Sequence, residues 1–368
     1  MKVLVVGGGS MGRRRLRDLT HLNPGGVMLL EANAERCNEV AKAFGIPGYT
    51  SLDAALAEKP DALAVSTPPA LHEPYVRAAA EHGKHVFAEV PFLLQYGSLR
   101  EVADQVKQKG KKTVLGVSHT IRYYPPYRLI HDLLQKQIVG RPLYLEYSLG
   151  NYLPDWHPYE DYRKFYANDQ KLGGAGMDML LHEISAIHWW MGTSTKIQAR
   201  LAKLSSLQIS GPDTHDVLMR FENGAVGFFH HDVIERGTVG RHIRIVGEEG
   251  TIEWHQNQPT IRVYSGKKNQ NEELGFDQAS DWNEAIEASR ESSRLVAAQK
   301  ASSGEIPAAT APHFTYESCY LREMKHYLDA AAGRAGYTGC TIEEEINTVA
   351  TFHAVLRSAE EGREVTVA

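Results

Sequence analysis

An apolar run from Met1 to Val6 passes directly into Gly7-Gly8-Gly9-Ser10-Met11-Gly12, and this junction constrains the chain more than any other stretch. Glycines at this spacing let a strand turn sharply into a helix. They also let backbone approach a pyrophosphate and let the helix pack close to the strand. The helix start presents orphan N–H groups that attract phosphate oxygens. Helical spacing over Arg13–Thr20 and a second apolar run, Val27 to Leu30, complete a strand–helix–strand unit. The second run ends in Glu31, close to the ~20-residue separation at which such a unit places the acid for a ribose 2′-hydroxyl. Gly7, Gly9, Ser10, Met11, Gly12, Glu31 and the neighbouring Arg36 are therefore the expected dinucleotide-binding residues. A carboxylate at 31 repels a 2′-phosphate, so NAD is expected in preference to NADP. The run Arg13-Arg14-Arg15 and Arg36 leave some room for NADP, although arginines after a glycine turn are more often solvated.

At 368 residues the chain exceeds one typical core, and two domains are expected, 1–120 and 121–368. The C-terminal helices are free to pack back on the first. Hydrophobic content of 42%, charged content of 23% and a formal charge of −5 describe an ordinary globular protein. They give no reason to expect nucleic acid or a membrane surface as partner. No run reaches the length of a membrane span. Cys37, Cys319 and Cys340 are too scattered for a disulfide framework or a zinc site, and the cytoplasm is the expected compartment.

The first third alternates short strand-type runs (Lys2–Val6, Val27–Leu30, Ala62–Ser66, His85–Ala88, Thr113–Val117) with helical patterns, the mark of a parallel sheet with crossover helices. After a helix at Tyr127–Gln137, longer strands follow one another from Pro142 to Tyr264. Asn223-Gly224 and Glu249-Gly250 stand as hairpin turns, and one helix, Met177–Met191, interrupts the series. The stretch 265–312 is polar and reads as loop around a helix at Asp281–Gln299. Two helices, Tyr316–Ala332 and Ile342–Glu361, and a short strand close the chain. The expected fold is an α/β Rossmann domain followed by an α+β domain with a mostly antiparallel open sheet. Phe228, Phe229 and Val233 suit a sheet face covered by a second copy of the chain.

Thr67, Pro68 and His72 follow a strand end, which in an open parallel sheet faces the ligand crevice. Gly83-Lys84-His85-Val86-Phe87-Ala88-Glu89-Val90-Pro91 is the next strand and its exit. Asp178 and His182, four apart, share one helix face behind Gly173-Gly174-Ala175-Gly176, and histidine titrates near neutral pH. A surface pair is the competing reading. His182, Glu183 and His188 have the wrong spacing for a helical zinc motif, so no metal is expected. The loop 151–163 is dense in aromatic and polar groups of the kind that stack on and hydrogen-bond sugar rings. Tyr152, Trp156, His157 and Arg163 are its candidates. His230, His231, His242 and the Trp189-Trp190 pair read as sheet-face or core residues.

Taken in order, the glycine turn, the Thr-Pro…His turn, Gly-Lys-His-Val…Glu-x-Pro and the Asp-x-x-x-His helix resemble the Gfo/Idh/MocA family of glucose–fructose oxidoreductase and inositol dehydrogenase relatives. The resemblance runs over nearly the whole chain, to Ser358–Gly362. It implies that Glu89 lies beside the nicotinamide ribose, that Pro91 holds its loop, and that Asp178 and His182 meet the reacting hydroxyl, with His182 as acid/base. It also implies that Arg122, in an Arg-aromatic turn, contacts substrate or links the domains. Dimers or tetramers built on the second sheet are expected. The family's usual lysine between Glu89 and Pro91 is replaced by Val90, which carries no proton. Three functions stay open: an NAD-dependent oxidoreductase acting on a sugar, sugar derivative or polyol; an NAD-dependent glycoside hydrolase working by transient ring oxidation; and a non-catalytic NAD-binding sensor.

Overall fold

The computed structural model describes residues 1–109, 112–156, 161–164, 166–174, 176–237, 240–302 and 313–367. Two compact units divide the chain: Met1–Tyr124 with Asn283–Ile346, and Pro125–Trp282 with Asn347–Ala368.

The first unit opens with β1 (Val3–Val6), α1 (Ser10–Leu22), β2 (Val27–Leu30), α2 (Ala34–Phe44), β3 (Gly48–Tyr49), α3 (Leu52–Ala57) and β4 (Ala62–Val65). It continues with α4 (Glu73–Glu81), β5 (His85–Ala88), α5 (Tyr96–Gln108) and β6 (Leu115–Val117). The strands form a six-stranded parallel sheet in the order β3-β2-β1-β4-β5-β6. Every residue of β1, β2 and β4 is buried. Strands covered on both faces read as unbroken apolar runs and not as alternation, which is why these three stand out in the sequence. β3 has two residues and offers no such pattern.

The second unit begins with α6 (Pro125–Gln135) and β7 (Pro142–Gly150), followed by α7 (Met177–Met191). Strands β8 (Ser194–Ala202), β9 (Thr214–Phe221), β10 (Val226–Asp232), β11 (Gly240–Gly247), β12 (Gly250–His255), β13 (Thr260–Ser265) and β14 (Gln270–Gly275) come next. The chain then runs through α8 (Trp282–Ser302) and α9 (Glu317–Ala331), which fall in the first unit apart from Trp282, and ends in α10 (Ile342–Glu361) and β15 (Val365–Thr366), which return to the second from Asn347 on. Nine strands form one sheet, β14-β13-β12-β11-β7-β10-β9-β8-β15, antiparallel except where β7 pairs with β10. Tyr127, Tyr147, Trp190, Phe229 and Trp254 pack as an aromatic core on one face.

Two expectations change. Gln270–Gly275, read as loop, is an edge strand; its residues are exposed or half-buried on both faces, so no apolar alternation betrays it. Phe229 and Val233 are fully buried within their own chain, and only Phe228 lies half-buried on the opposite face. Successive strand residues point to opposite faces, so 228 and 229 cannot serve the same one.

The segment carrying α9 belongs to the first unit. Met324, Tyr327 and Leu328 complete the core of Val3, Val5, Leu16, Leu19, Val27, Leu29 and Phe87.

Candidate functional site

The glycine turn has the geometry of a phosphate cradle. Gly7 lies at φ 98°, in the left-handed region, and a Cβ there would meet the Ser66 carbonyl oxygen at 2.9 Å. At Gly12 a Cβ would fall 1.8 Å from the Gly7 oxygen, so only glycine lets α1 seat on the turn. Gly9, the residue that starts α1, has open space where a side chain would stand and offers no side-chain cap. The N–H groups of the first turn, at Ser10 and Met11, therefore face a position suited to an anion. Beside the turn, at the end of β4, the buried hydroxyls of Ser66 and Thr67 make no hydrogen bond among the described residues.

Glu31, just past β2, is 6% exposed. It accepts the Gly8 N–H at 2.8 Å and the Asn33 N–H at 2.9 Å, and pairs with the half-exposed Arg36 at 3.0 Å. Burial pushes its carboxyl up, but these donors outweigh that and hold it below the usual carboxylate range. An ionised acid at the strand end, unfilled hydroxyls and an uncapped helix start fit the adenosine and diphosphate portions of a dinucleotide. Pro68 opens the short turn Pro69–Leu71 that carries the chain past this edge.

Glu89 leaves β5 and its carboxylate is gripped by Arg15, with Nε at 2.7 Å and Nη2 at 3.2 Å. Reading the arginine run as solvated is corrected here: Arg15 is completely buried and also donates to Ser118 Oγ at 2.6 Å and Glu323 Oε2 at 2.9 Å. Arg14 and Arg17 both bond Glu317 at the start of α9. The signal was present in the helical spacing, since 12, 15, 16 and 19 share the buried stripe of α1. Its carboxylate partners are out of local reach.

The loop after Glu89 is held from below. Val90 is 5% exposed, and the Val90–Pro91 peptide is cis. The His72 ring is wholly enclosed, 3.0 Å from the Pro91 carbonyl and 2.8 Å from that of Thr67. It braces the loop and presents no face to a ligand. The Phe92 N–H donates to Glu345 at 3.0 Å, and the other oxygen of Glu345 bonds His119 at 2.9 Å. Arg122 is 5% exposed and committed to Glu344 at 2.7 Å.

In the second unit, Gly176 at φ 81° starts α7, with the buried His215 and His231 rings against it. Asp178 in the first turn accepts from the Met179 N–H at 2.9 Å and from the Tyr166 hydroxyl at 3.1 Å. Burial raises its carboxyl above the ordinary range. His182 lies one turn further on along α7 and is half-buried. Tyr166 was not foreseen. Glu183 is fully buried and binds Tyr147 at 2.5 Å, Tyr127 at 3.0 Å and Arg241 at 3.0 Å, which fixes α7 on the sheet. Tyr152 carries Arg236 over its ring at 4.2 Å, Trp156 donates to Asn151 at 2.8 Å, and Arg163 is exposed and paired with Asp161. His157 lies outside the described residues.

Comparison with known proteins adds three findings. Residues 1–118 match a family model described as oxidoreductase family, NAD-binding Rossmann fold, and residues 127–253 match the GFO/IDH/MocA C-terminal domain. Among curated relatives, an uncharacterized oxidoreductase, YrbE of Bacillus subtilis, is 24% identical over 70% of this chain and 74% of its own. Levoglucosan dehydrogenase of Pseudarthrobacter phenanthrenivorans is 27% identical over 68% and 73%, and inositol 2-dehydrogenase of Acidothermus cellulolyticus is 26% identical over 73% and 76%. Among solved structures, levoglucosan dehydrogenase in complex with NADH and L-sorbose superposes with TM-score 0.79 at 20% identity, covering 100% of this chain and 99% of that one. The WlbA dehydrogenase of Bordetella pertussis with NADH and UDP-GlcNAcA gives TM-score 0.77 at 18% identity, covering 100% and 98%. Among the described residues no helix is long and apolar enough to cross a membrane.

Proposed function

Because the chain belongs to the Gfo/Idh/MocA oxidoreductase family, with its NAD-binding Rossmann domain, we propose that it is an NAD-dependent enzyme oxidising or reducing a hydroxyl of a sugar, sugar derivative or polyol. The observation that carries this reading is the Gly7–Gly12 turn with the ionised Glu31 bonded beneath it. The names of relatives, levoglucosan and inositol dehydrogenases among them, support a polyhydroxylated ring as the substrate class.

NAD supplies a hydride acceptor when bound. The α1 N–H groups hold its diphosphate, Glu31 accepts the adenosine ribose hydroxyls and disfavours a 2′-phosphate, and Thr67 and Glu89 serve the nicotinamide end. In the second unit His182 takes or returns the substrate hydroxyl proton. Asp178, its proton favoured by burial, donates a hydrogen bond to a substrate oxygen. Tyr152, Trp156 and Arg163 serve the substrate side. Assembly through the open face of the nine-stranded sheet is supported by Leu218, Val226 and Tyr264, large apolar groups left exposed there.

The test is a panel of free sugars, polyols and glycosides scored for both NADH and released aglycone. Stoichiometric NADH, lost in His182→Ala, is expected. Aglycone release without NADH would favour a redox-neutral glycosidase, the reading to which the apolar, buried Val90 lends weight. NAD binding with no turnover across the panel would leave a sensor.

A further inference from the structure

We propose that Arg15 is a positioning residue of the cofactor site, fixing the Glu89 carboxylate for the nicotinamide ribose while touching no cofactor atom itself. The inference rests on the cofactor reading above.

The guanidinium is held through Nε and Nη2, while Nη1 is buried and makes no hydrogen bond among the described residues. Nη2 also bonds Ser118 Oγ and Glu323 Oε2, and Ser118 donates to the same Glu323 oxygen at 3.1 Å. The Phe87 ring centroid lies 4.8 Å from the guanidinium carbon and the Tyr320 ring 5.3 Å. Glu323 and Arg15 have at most 1% of their side chains exposed, whereas Glu89 keeps 15%. Only the last carboxylate of the chain Glu323–Arg15–Glu89 therefore reaches a ligand. An arginine fork meeting both oxygens of a carboxylate fixes its plane as well as its charge, which an ammonium at the same place does not. Among the described residues only this fork bonds the Glu89 carboxylate, so without it the side chain is free to rotate and its lone pairs no longer have one fixed direction.

The position of Arg15 makes this more than a packing statement. It lies one turn past the start of α1, the helix that holds the diphosphate, so one element sets both the phosphate position and the aim of Glu89. Loss of the fork should therefore weaken the nicotinamide half of NAD and spare the adenosine half.

The experiment compares calorimetric binding of NAD+ with that of ADP, which lacks the nicotinamide ribose. In Arg15→Lys, NAD+ affinity is expected to fall about tenfold or more while ADP affinity holds. In a Glu89→Gln background the same substitution should cause no further loss, because Arg15 acts through Glu89. Should Arg15→Lys fail to fold, Arg15→Met with Glu323→Leu replaces the buried hydrogen-bonded pair by apolar groups of similar size, a change cores often accept, and the same binding pattern is expected. Equal losses for NAD+ and ADP, additive losses in the Glu89→Gln background, or unchanged NAD+ binding would each overturn the positioning role. Failure of the unaltered protein to bind NAD+ or ADP would instead overturn the cofactor reading, and the role of Arg15 with it.

Discussion

Replacing Glu323 by glutamine removes a proton-binding site that folding itself creates. The carboxyl is fully buried in α9, and burial, with Glu89 nearby, pushes it up to about 8 from the ordinary 4.5 although Arg15 pulls the other way. The folded protein therefore holds a proton that the unfolded chain releases as the pH passes 4.5. The associated stability is complete below that value and is lost as the pH rises to about 8. At ~1.4 kcal/mol per pH unit the group accounts for a decline of ~3 kcal/mol between pH 5 and pH 8. Glutamine matches the protonated acid in shape and does not titrate, so Glu323→Gln should fold at neutral pH and lack this decline. Hydrogen exchange of the α9 amides, corrected for intrinsic rates, reports the opening free energy of that helix. The difference between variant and parent should move toward the variant by ~3 kcal/mol across the interval. Parallel profiles for the two proteins would show that Glu323 is ionised throughout, and the argument from burial would fail.

Gly12→Ala places a methyl 1.8 Å from the Gly7 oxygen, so α1 must back away from the turn; NAD+ affinity measured by calorimetry should drop ~100-fold, with a lower melting temperature. Glu31→Ala removes the acceptor beneath the turn and should weaken NAD+ about tenfold while narrowing the preference over NADP+, read as the ratio of the two dissociation constants. Tyr147→Phe strips a hydroxyl that donates to the enclosed Glu183; chemical denaturation should show a cost of about 1–3 kcal/mol.

Much of the architecture was legible because burial on both faces leaves unbroken apolar runs, as in β1, β2 and β4, and because the Gly7–Gly12 spacing has a steric cause that the 1.8 Å approach at Gly12 makes concrete. The edge strand β14 was not, since a strand with no buried face has no periodicity to read. Asp178 and His182 were read from helical spacing alone, which could not reveal Tyr166, a residue from a preceding short turn whose hydroxyl donates to the Asp178 carboxylate. Arg15 stood on the inner stripe of α1, but nothing local says that a charge there is matched by Glu89 and by Glu323 some 300 positions later.

That α9 is encoded after the long Pro125–Trp282 segment of the second unit governs how the protein is made on the ribosome. A nascent chain ending near Tyr124 has the complete parallel sheet but not Met324, Tyr327 or Leu328, which fill one side of it, nor Glu323, which accepts a hydrogen bond from Arg15. Such an intermediate exposes apolar surface and leaves Arg15 short of one acceptor until α9 is translated, so it is during synthesis that the amino-terminal lobe is most in need of a chaperone.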